Sequence, residues 1–294
     1  IDHDVPLHSE LLLQTSYTTR RNQTDENPIY LKPNAEHRIM AHMRQQFFNC
    51  QAPAGSTVVM YYDTGAVVSM ASYPTFDNRW FEAGLSSEKF QEIFPQTEDP
   101  DLSILVNRAI QGRYNLGSTF KLFTAYAALN SGLIGPNEVY VDRGTYTLSR
   151  EAVSDRAACE SGMVRCEFKN AICSFSGLPC VYGPVAVEDA LAVSSDTFFY
   201  RIGDQIMVQN DLQPILQENI RKFGFGADTG IELPFEFDGT VPDAALKRRY
   251  AELNVISEDE GRDYYVGDNE QLAIGQGLLS ATPLHVATGY GAVA

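Results

Sequence analysis

Residues 112–132 read GRYNLGSTFKLFTAYAALNSG. In this stretch a serine, Ser118, precedes a lysine, Lys121, by three positions at the start of a long apolar run. The apolar residues that follow Ser118 recur with helical periodicity, which predicts a helix from Ser118 to Leu133 that is buried on most of its surface. Side chains three residues apart on a helix are neighbours. The pattern therefore places the Lys121 amine within reach of the Ser118 hydroxyl.

The environment of this pair favours nucleophilic chemistry. The first turn of a helix carries a positive potential and unpaired backbone N–H groups, which stabilise an alkoxide and then an oxyanion. Lys121 lies one turn deeper, among aromatic and aliphatic neighbours, where desolvation disfavours the ammonium form. A neutral amine at that position can accept the serine proton. The two residues thus form a possible Ser-Lys catalytic pair.

Two observations argue against reading the spacing alone as catalytic. A second Ser-x-x-Lys copy occurs at Ser86 and Lys89, within the polar stretch GLSSEKFQ, where a lysine stays solvated and charged. Serine is also a common helix N-cap, so Ser118 could simply begin its helix. The residues around each copy must therefore show which of the two is a catalytic pair.

The net charge argues against nucleic-acid binding, and the hydropathy argues against a membrane-spanning segment. The 294 residues include 38 acidic and 22 basic ones, for a formal net charge of -16. Such a surface repels phosphate backbones, and nucleic-acid binding is not expected. No run of 18 or more apolar residues occurs, so no membrane-spanning segment is predicted within the sequence.

Four of the five cysteines, Cys159, Cys166, Cys173 and Cys180, recur every seven residues, and Cys50 stands apart. Two disulfides in an extracytoplasmic loop, four unpaired thiols and a metal site are all compatible with this spacing. The metal reading lacks close Cys-x-x-Cys pairs and any histidine between His42 and His285. The pairing within the disulfide reading stays open.

Local patterns predict a mixed α and β chain. Residues 57–74 read as two strands around the turn Asp63-Thr64-Gly65, a hairpin signal. Residues 185–208 look helical in two pieces, broken near Ser194, and residues 282–294 read as a further helix. Residues 1–28 are polar and irregular, as in a linker or the end of a preceding domain.

Five stretches, in order, carry a resemblance to a known family. NLGSTFKLFTAYAALNSGLI resembles the active-site helix of penicillin-binding transpeptidases, whose signature there is close to P-G-S-T-F-K. The opening hairpin (55–77) and SSDTFFYRIG (194–203) are similar to two further landmarks. So are FGFGADTGIELPFEFDGTVPD (223–243) and AIGQGLLSATPLHVA (273–287). The resemblance covers residues 29–294 and implies an α+β penicillin-recognising fold: an antiparallel sheet flanked by helices, with a helical subdomain. The SSDTFFY segment favours a class B, elongation-type member.

The resemblance implies a role for each matching residue. Ser118 resembles the acylated nucleophile and Lys121 its general base, while Ser194 resembles the serine that passes a proton to the leaving amine. Asp196 takes the third position of that second motif, where it would raise the Lys121 pKa against the effect of desolvation. Gly117, Thr119 and Ser195 correspond to positions beside the substrate.

The function implied is peptidoglycan D,D-transpeptidation. A stem peptide ending in D-Ala-D-Ala would acylate Ser118, and an amine of a second stem would resolve the ester into a crosslink. β-Lactams would mimic the donor, and no metal or organic cofactor would be needed. A membrane-anchored protein at the extracytoplasmic face of the cytoplasmic membrane, working beside a glycan polymerase, is expected. The alternatives are a β-lactam sensor domain and a class D-like β-lactamase.

The sequence departs from the family pattern in three places. Leu116 stands where the family usually has proline, and the cysteine-containing stretch 135–183 reads as a loop insertion. Lys-Thr-Gly, the third family motif, does not occur in the sequence. We therefore expect residues 29–294 to be a partial transpeptidase domain without its C-terminal strands. Residues 1–294 alone should have little transpeptidase activity.

Overall fold

A computed structural model describes residues 54–294 apart from 83, 95–102, 154–155, 163–164 and 172–179. The proposed linker at 1–28, Cys50 and Cys173 lie outside the described residues. The described chain forms two compact units. The first contains the chain up to Tyr114 together with Ala227–Gly239 and Ala281–Ala294, and the second contains Asn115–Gly226 and Thr240–Ser280.

The described residues form short strands and helices, and seven helices in succession follow the last strand. The strands are β1 (Gly55–Met60), β2 (Val67–Tyr73), β3 (Tyr140–Asp142), β4 (Thr145–Thr147), β5 (Glu167–Lys169) and β6 (Gly183–Val185). The helices are α1 (Ser87–Ile93), α2 (Arg108–Gln111), α3 (Lys121–Asn130), α4 (Arg156–Glu160), α5 (Val187–Ala192), α6 (Asp196–Val208), α7 (Ile215–Arg221), α8 (Ala244–Glu252), α9 (Glu258–Gly261), α10 (Val266–Ala273) and α11 (Pro283–Val293). The predicted α+β class is confirmed.

The first unit is built on the predicted hairpin. β1 and β2 pair antiparallel, with Gly55 opposite Tyr73 and a register shift between Val59 and Met60. Gly65 adopts φ 72° in the connecting turn, a conformation that glycine reaches without steric cost. Helices α2 and α11 both contact the hairpin. The predicted hairpin and the predicted helix near the end of the chain are thus confirmed.

The second unit packs helices around α3. A 3₁₀ turn (Gly117–Phe120) runs directly into α3, which ends earlier than the predicted Leu133. Phe120 and Phe123 are both fully buried, and each packs edge-on against Phe225. Aromatic pairs of this kind stabilise beyond the area they bury, by about 0.5–1.5 kcal/mol each. This packing fixes the start of α3.

Two small antiparallel sheets lie in the stretch that the sequence left unassigned. β3 pairs with β6, and β4 pairs with β5. Cys159 and Cys166 form a disulfide, and Cys180 is disulfide-bonded as well. The disulfide reading of the cysteine series is therefore confirmed for Cys159 and Cys166, and the unpaired-thiol and metal readings are wrong for these two.

One buried carboxyl group lies on α10, the helix that packs against α6. Glu270 is fully buried, and neither of its carboxyl oxygens has a hydrogen-bond partner among the described residues. Burial, followed by the nearby negative charge of Asp204, raises the pKa of Glu270 to about 9, although Arg165 opposes this shift. Glu270 is therefore protonated in the folded protein at neutral pH, whereas it would be ionised in the unfolded chain.

Replacing Glu270 by glutamine should stabilise the protein in a pH-dependent way. A folded-state pKa above the unfolded value favours folding at low pH, and that contribution is lost as the pH rises towards 9. Glutamine cannot ionise, so Glu270→Gln should match the wild type near pH 4.5 and exceed its unfolding free energy by on the order of 5 kcal/mol at pH 8. Denaturant unfolding at both pH values measures this. Glu218→Gln on the exposed face of α7 is the control, and a difference that is equal at both pH values would contradict the prediction.

Candidate active site

The serine of the opening motif lies in a turn held from outside the helix. Ser118 is exposed, within the 3₁₀ turn that precedes α3. Gly117 has φ 55°, and its N–H donates to the Gly275 carbonyl at 2.9 Å. The Thr119 hydroxyl donates to the Leu116 carbonyl at 2.7 Å. The turn therefore presents the Ser118 hydroxyl to solvent while its backbone is fixed.

Gly275 makes this arrangement possible because it has no side chain. It adopts φ 73°, and a Cβ atom placed on it would lie 2.3 Å from the Gly117 carbonyl oxygen and 2.7 Å from the Phe120 Cβ. Real Cβ atoms do not approach backbone this closely, so alanine at this position would displace the serine turn. The sequence stretch AIGQG contains this glycine, but its pattern alone does not reveal the contact.

Lys121 is buried at the start of α3 and surrounded by acceptors. Its side chain is 1% exposed, and its amine donates to Asp196 Oδ1 at 2.5 Å. The amine also donates to the Ser194 hydroxyl at 3.0 Å and to the Ser194 carbonyl at 2.8 Å. These three acceptors fix the orientation of the Lys121 amine.

The link between the serine and the lysine passes through Ser194. The Ser194 hydroxyl donates to Ser118 Oγ at 2.9 Å, and Ser194 also contacts the Lys121 amine. Among the described residues, no direct hydrogen bond joins Lys121 to Ser118. The structure thus brings together Ser118, Ser194, Lys121 and Asp196, with Ser194 in the position of a proton relay.

Burial lowers the pKa of Lys121 below its ordinary value of 10.5. Desolvation is the larger effect, and the charge and hydrogen bond of Asp196 oppose it by stabilising the ammonium form. Both effects were expected from the sequence, and the net direction follows from burial. A lowered pKa increases the fraction of neutral amine available as a base at a given pH.

The two Ser-x-x-Lys copies differ in structure. Ser86 caps α1, because its side chain accepts a hydrogen bond from the Lys89 N–H at 3.2 Å. The Lys89 amine lies 3.8 Å from the centre of the Trp80 ring, near the surface. Ser118 makes no cap hydrogen bond of this kind. The capping interpretation therefore fits the first copy and is wrong for the second.

A strained backbone presents Ser194. The two helical pieces predicted for 185–208 are α5 and α6, and Ser194 lies between them with φ 57°. A non-glycine residue in this left-handed region is uncommon and costs free energy, and such residues cluster at functional sites. The predicted break near Ser194 is thus present, and it directs both the carbonyl and the hydroxyl of Ser194 towards Lys121.

Ser195 is the next residue, and its side chain points into the protein interior. It is fully buried, and its hydroxyl donates to Asp142 Oδ2 at 2.5 Å while accepting the Phe198 N–H at 3.2 Å. These are the contacts of a helix cap, whereas Gly117 and Thr119 lie beside the exposed Ser118. Sequence reasoning did not find Asp142, because a lone aspartate in the stretch Val-Asp-Arg-Gly gives no pattern that points to the site.

No described group of three or more His, Cys, Asp or Glu side chains is placed to hold a metal ion. Within the same residues, no helix is both long enough and apolar enough to cross a bilayer.

Comparisons with known proteins agree with the motif order. The model of the penicillin binding protein transpeptidase domain matches residues 55–158 and 174–294, which make up more than half of the chain. It leaves 159–173, within the cysteine-containing stretch, unmatched. The peptidoglycan D,D-transpeptidase MrdA of Haemophilus influenzae is 30% identical over 234 residues, which cover 79% of this chain and 30% of that protein. The chain spans about a third of the length of the curated relatives it matches.

Solved structures show the same relationship. The penicillin-binding protein PBP2 from Helicobacter pylori superposes with a TM-score of 0.67 at 26% identity, covering 87% of this chain and 41% of that one. A structure described as showing coordination of polymerization and crosslinking by a peptidoglycan synthase complex superposes with a TM-score of 0.61 at 28% identity. It covers 82% of this chain and 34% of that chain. The chain therefore belongs to the penicillin-binding protein transpeptidase family, in its PBP2-like branch.

Proposed function

We propose that this chain is the core of a peptidoglycan D,D-transpeptidase in which Ser118 forms the acyl-enzyme. The observation that carries the proposal is the continuous hydrogen-bonded path from Ser118 through Ser194 to Lys121, with Asp196 behind the lysine. Neither the resemblance nor the spacing requires this path, and in the second Ser-x-x-Lys copy the serine side chain instead accepts the Lys89 backbone N–H.

The geometry suggests how the nucleophile is activated. Neutral Lys121 keeps two N–H bonds, to Asp196 and to the Ser194 carbonyl, and directs its lone pair at the Ser194 hydroxyl. As Ser118 Oγ attacks the carbonyl carbon of the penultimate D-alanine, its proton passes to Ser194 Oγ while the Ser194 proton passes to Lys121. The hydroxyl hydrogens must rotate so that Ser118 donates to Ser194.

The same path returns the proton during collapse of the tetrahedral intermediate. The C–N bond to the terminal D-alanine breaks, and its nitrogen takes the proton delivered from Lys121 through Ser194. The backbone N–H of Ser118, at the start of the helix, is the proposed donor to the oxyanion. An amine of a second stem peptide then attacks the ester, loses a proton to the same base and frees Ser118.

The proposal extends to localisation and partners. The relatives named above act on peptidoglycan or belong to a peptidoglycan synthase complex. We propose an extracytoplasmic location at the cell envelope, which fits the Cys159–Cys166 disulfide. A membrane glycan polymerase is the proposed partner, while peptidoglycan stem peptides and β-lactams are the proposed substrates and inhibitors.

Labelling with a fluorescent penicillin, followed by mass spectrometry of the adduct, tests the function. A transpeptidase should form a long-lived adduct on Ser118 and should crosslink peptides that end in D-Ala-D-Ala. A rapid loss of the adduct would instead indicate a β-lactamase, and a stable adduct with no peptide turnover in the full-length protein would indicate a sensor domain. The 294 residues alone should show little peptide turnover, since they contain no Lys-Thr-Gly segment.

A further inference from the structure

A buried polar cluster contacts the start of α6. Asp142, the last residue of β3, is fully buried, and no cation is paired with it among the described residues. Its carboxylate accepts hydrogen bonds from the Gly144 N–H at 2.7 Å and from the Ser195 hydroxyl at 2.5 Å. The Asn170 amide supplies two more, at 3.1 and 3.0 Å.

Asn170 extends this cluster to the helix backbone. It is 1% exposed, and its side-chain oxygen accepts the Thr197 N–H at 3.0 Å. Its amide nitrogen also donates to the Cys180 carbonyl at 2.8 Å. The next residue, Ala171, donates its N–H to Asp196 Oδ2 at 2.7 Å. One short segment after β5 therefore binds both the first turn of α6 and the carboxylate that holds the lysine.

Burial of a carboxyl group without a cation is costly unless its oxygens are hydrogen-bonded. Here the compensation is local: Gly144, Asn170 and Ser195 donate hydrogen bonds to the carboxylate, and the positive end of α6 lies beside it. As a result, the hydrogen bond to Asp142 fixes the side chain of Ser195, the N-cap of α6. Its neighbours Ser194 and Asp196 are then directed at Lys121 from either side of the cap.

We propose that Asp142 and Asn170 are positioning residues for acyl transfer, which set the orientation of Ser194 and Asp196 relative to the Lys121 amine. Within the described part of the chain neither residue is hydrogen-bonded to Ser118 or Lys121, and both act through Ser195, Ala171 and the first turn of α6. The inference rests on the proposed function, because it concerns the proton path from Ser118 to Lys121.

The test compares two buried aspartates of the full-length protein. Asp142→Asn puts N–H donors against the donors of Ser195, Asn170 or Gly144, so the cluster must rearrange. Asp204→Asn is the matched control. Asp204 is also fully buried and accepts hydrogen bonds from the Tyr146 hydroxyl, the Ser149 N–H and the Ser149 hydroxyl, but it lies two turns further along α6.

The readout is the rate of acylation by a fluorescent penicillin as a function of pH, together with thermal stability. Asp142→Asn should slow acylation about tenfold to a hundredfold and move the midpoint of its pH profile, since displacement of catalytic groups by about 1 Å has effects of this size. Asp204→Asn should lower stability and leave the midpoint in place. If Asp142→Asn acylates at the wild-type rate and midpoint, or both variants slow acylation equally without a shift, the inference is wrong.

A second variant covers the case in which Asp142→Asn does not fold. Ser195→Ala removes the hydroxyl that joins the cap to Asp142 and leaves the bonds from Asn170 and Gly144 in place. It should also slow acylation and shift the midpoint, and a wild-type profile would overturn the inference. If the wild-type protein is not labelled on Ser118 at all, the proposed function fails first and the inference fails with it.

Discussion

Replacement of Ser118 by alanine is expected to abolish covalent labelling of the protein by a fluorescent penicillin. The substitution removes the oxygen of the proposed nucleophile, and no other described hydroxyl has a buried lysine connected to it through a relay. The rate of acylation should fall by at least about a thousandfold, as for other removed nucleophiles. Because Ser118 is exposed, the free energy of unfolding should change by no more than about 0.5 kcal/mol.

The chain supplies a matched control for this experiment. Ser86→Ala alters the other Ser-x-x-Lys copy, whose serine caps α1 and whose lysine lies over an aromatic ring. Labelling should persist at the wild-type rate in Ser86→Ala, with a small loss of stability from the missing cap. An adduct that survives in Ser118→Ala would show that another residue is the nucleophile, and intact-mass measurement followed by peptide mapping would locate it.

The parts of the fold that sequence predicted well are those set by local signals. The β1–β2 hairpin follows from Asp63-Thr64-Gly65 between two β-rich runs, and the break between α5 and α6 appears where Ser194 was expected to interrupt a helix. Ser118 and Lys121 were identified as a pair because helical spacing is itself a local property. In each case the information lies within a few neighbouring residues.

The rest of the site depends on contacts between distant segments. Asp142 meets Ser195 across 53 positions, and Gly117 meets Gly275 through a backbone contact that no side-chain pattern encodes. The sequence placed Ser194 near the leaving amine, and the structure adds that it lies between Ser118 and Lys121. Ser195 was placed beside the substrate because its motif neighbours belong there, whereas its hydroxyl faces the protein interior. Contacts of this kind can be identified only from the three-dimensional structure.

The second large effect is expected from Lys121→Met, which keeps much of the side-chain volume and removes the proposed base. Acylation should fall by about 10²- to 10⁴-fold, the usual contribution of a positioned base. In the wild-type protein the acylation rate should rise with pH as Lys121 loses its proton. It should level off below pH 10.5, because burial lowers the Lys121 pKa. Lys121→Met should lose this pH dependence, which a labelling series across pH values measures.

Measurements of stability separate the proposed catalytic role of Lys121 from its structural role. Lys121→Met leaves the Asp196 carboxylate buried without its cation, and removing one partner of a buried pair costs about 3–5 kcal/mol. The double variant Lys121→Met with Asp196→Asn removes both charges and should recover most of that loss, because a neutral amide can still meet the Ala171 N–H through its oxygen. Acylation should not recover with stability, because the double variant still lacks a base. If the double variant regains both the stability and the acylation rate of the wild type, Lys121 only stabilises the fold, and the proton of Ser118 must leave by another route.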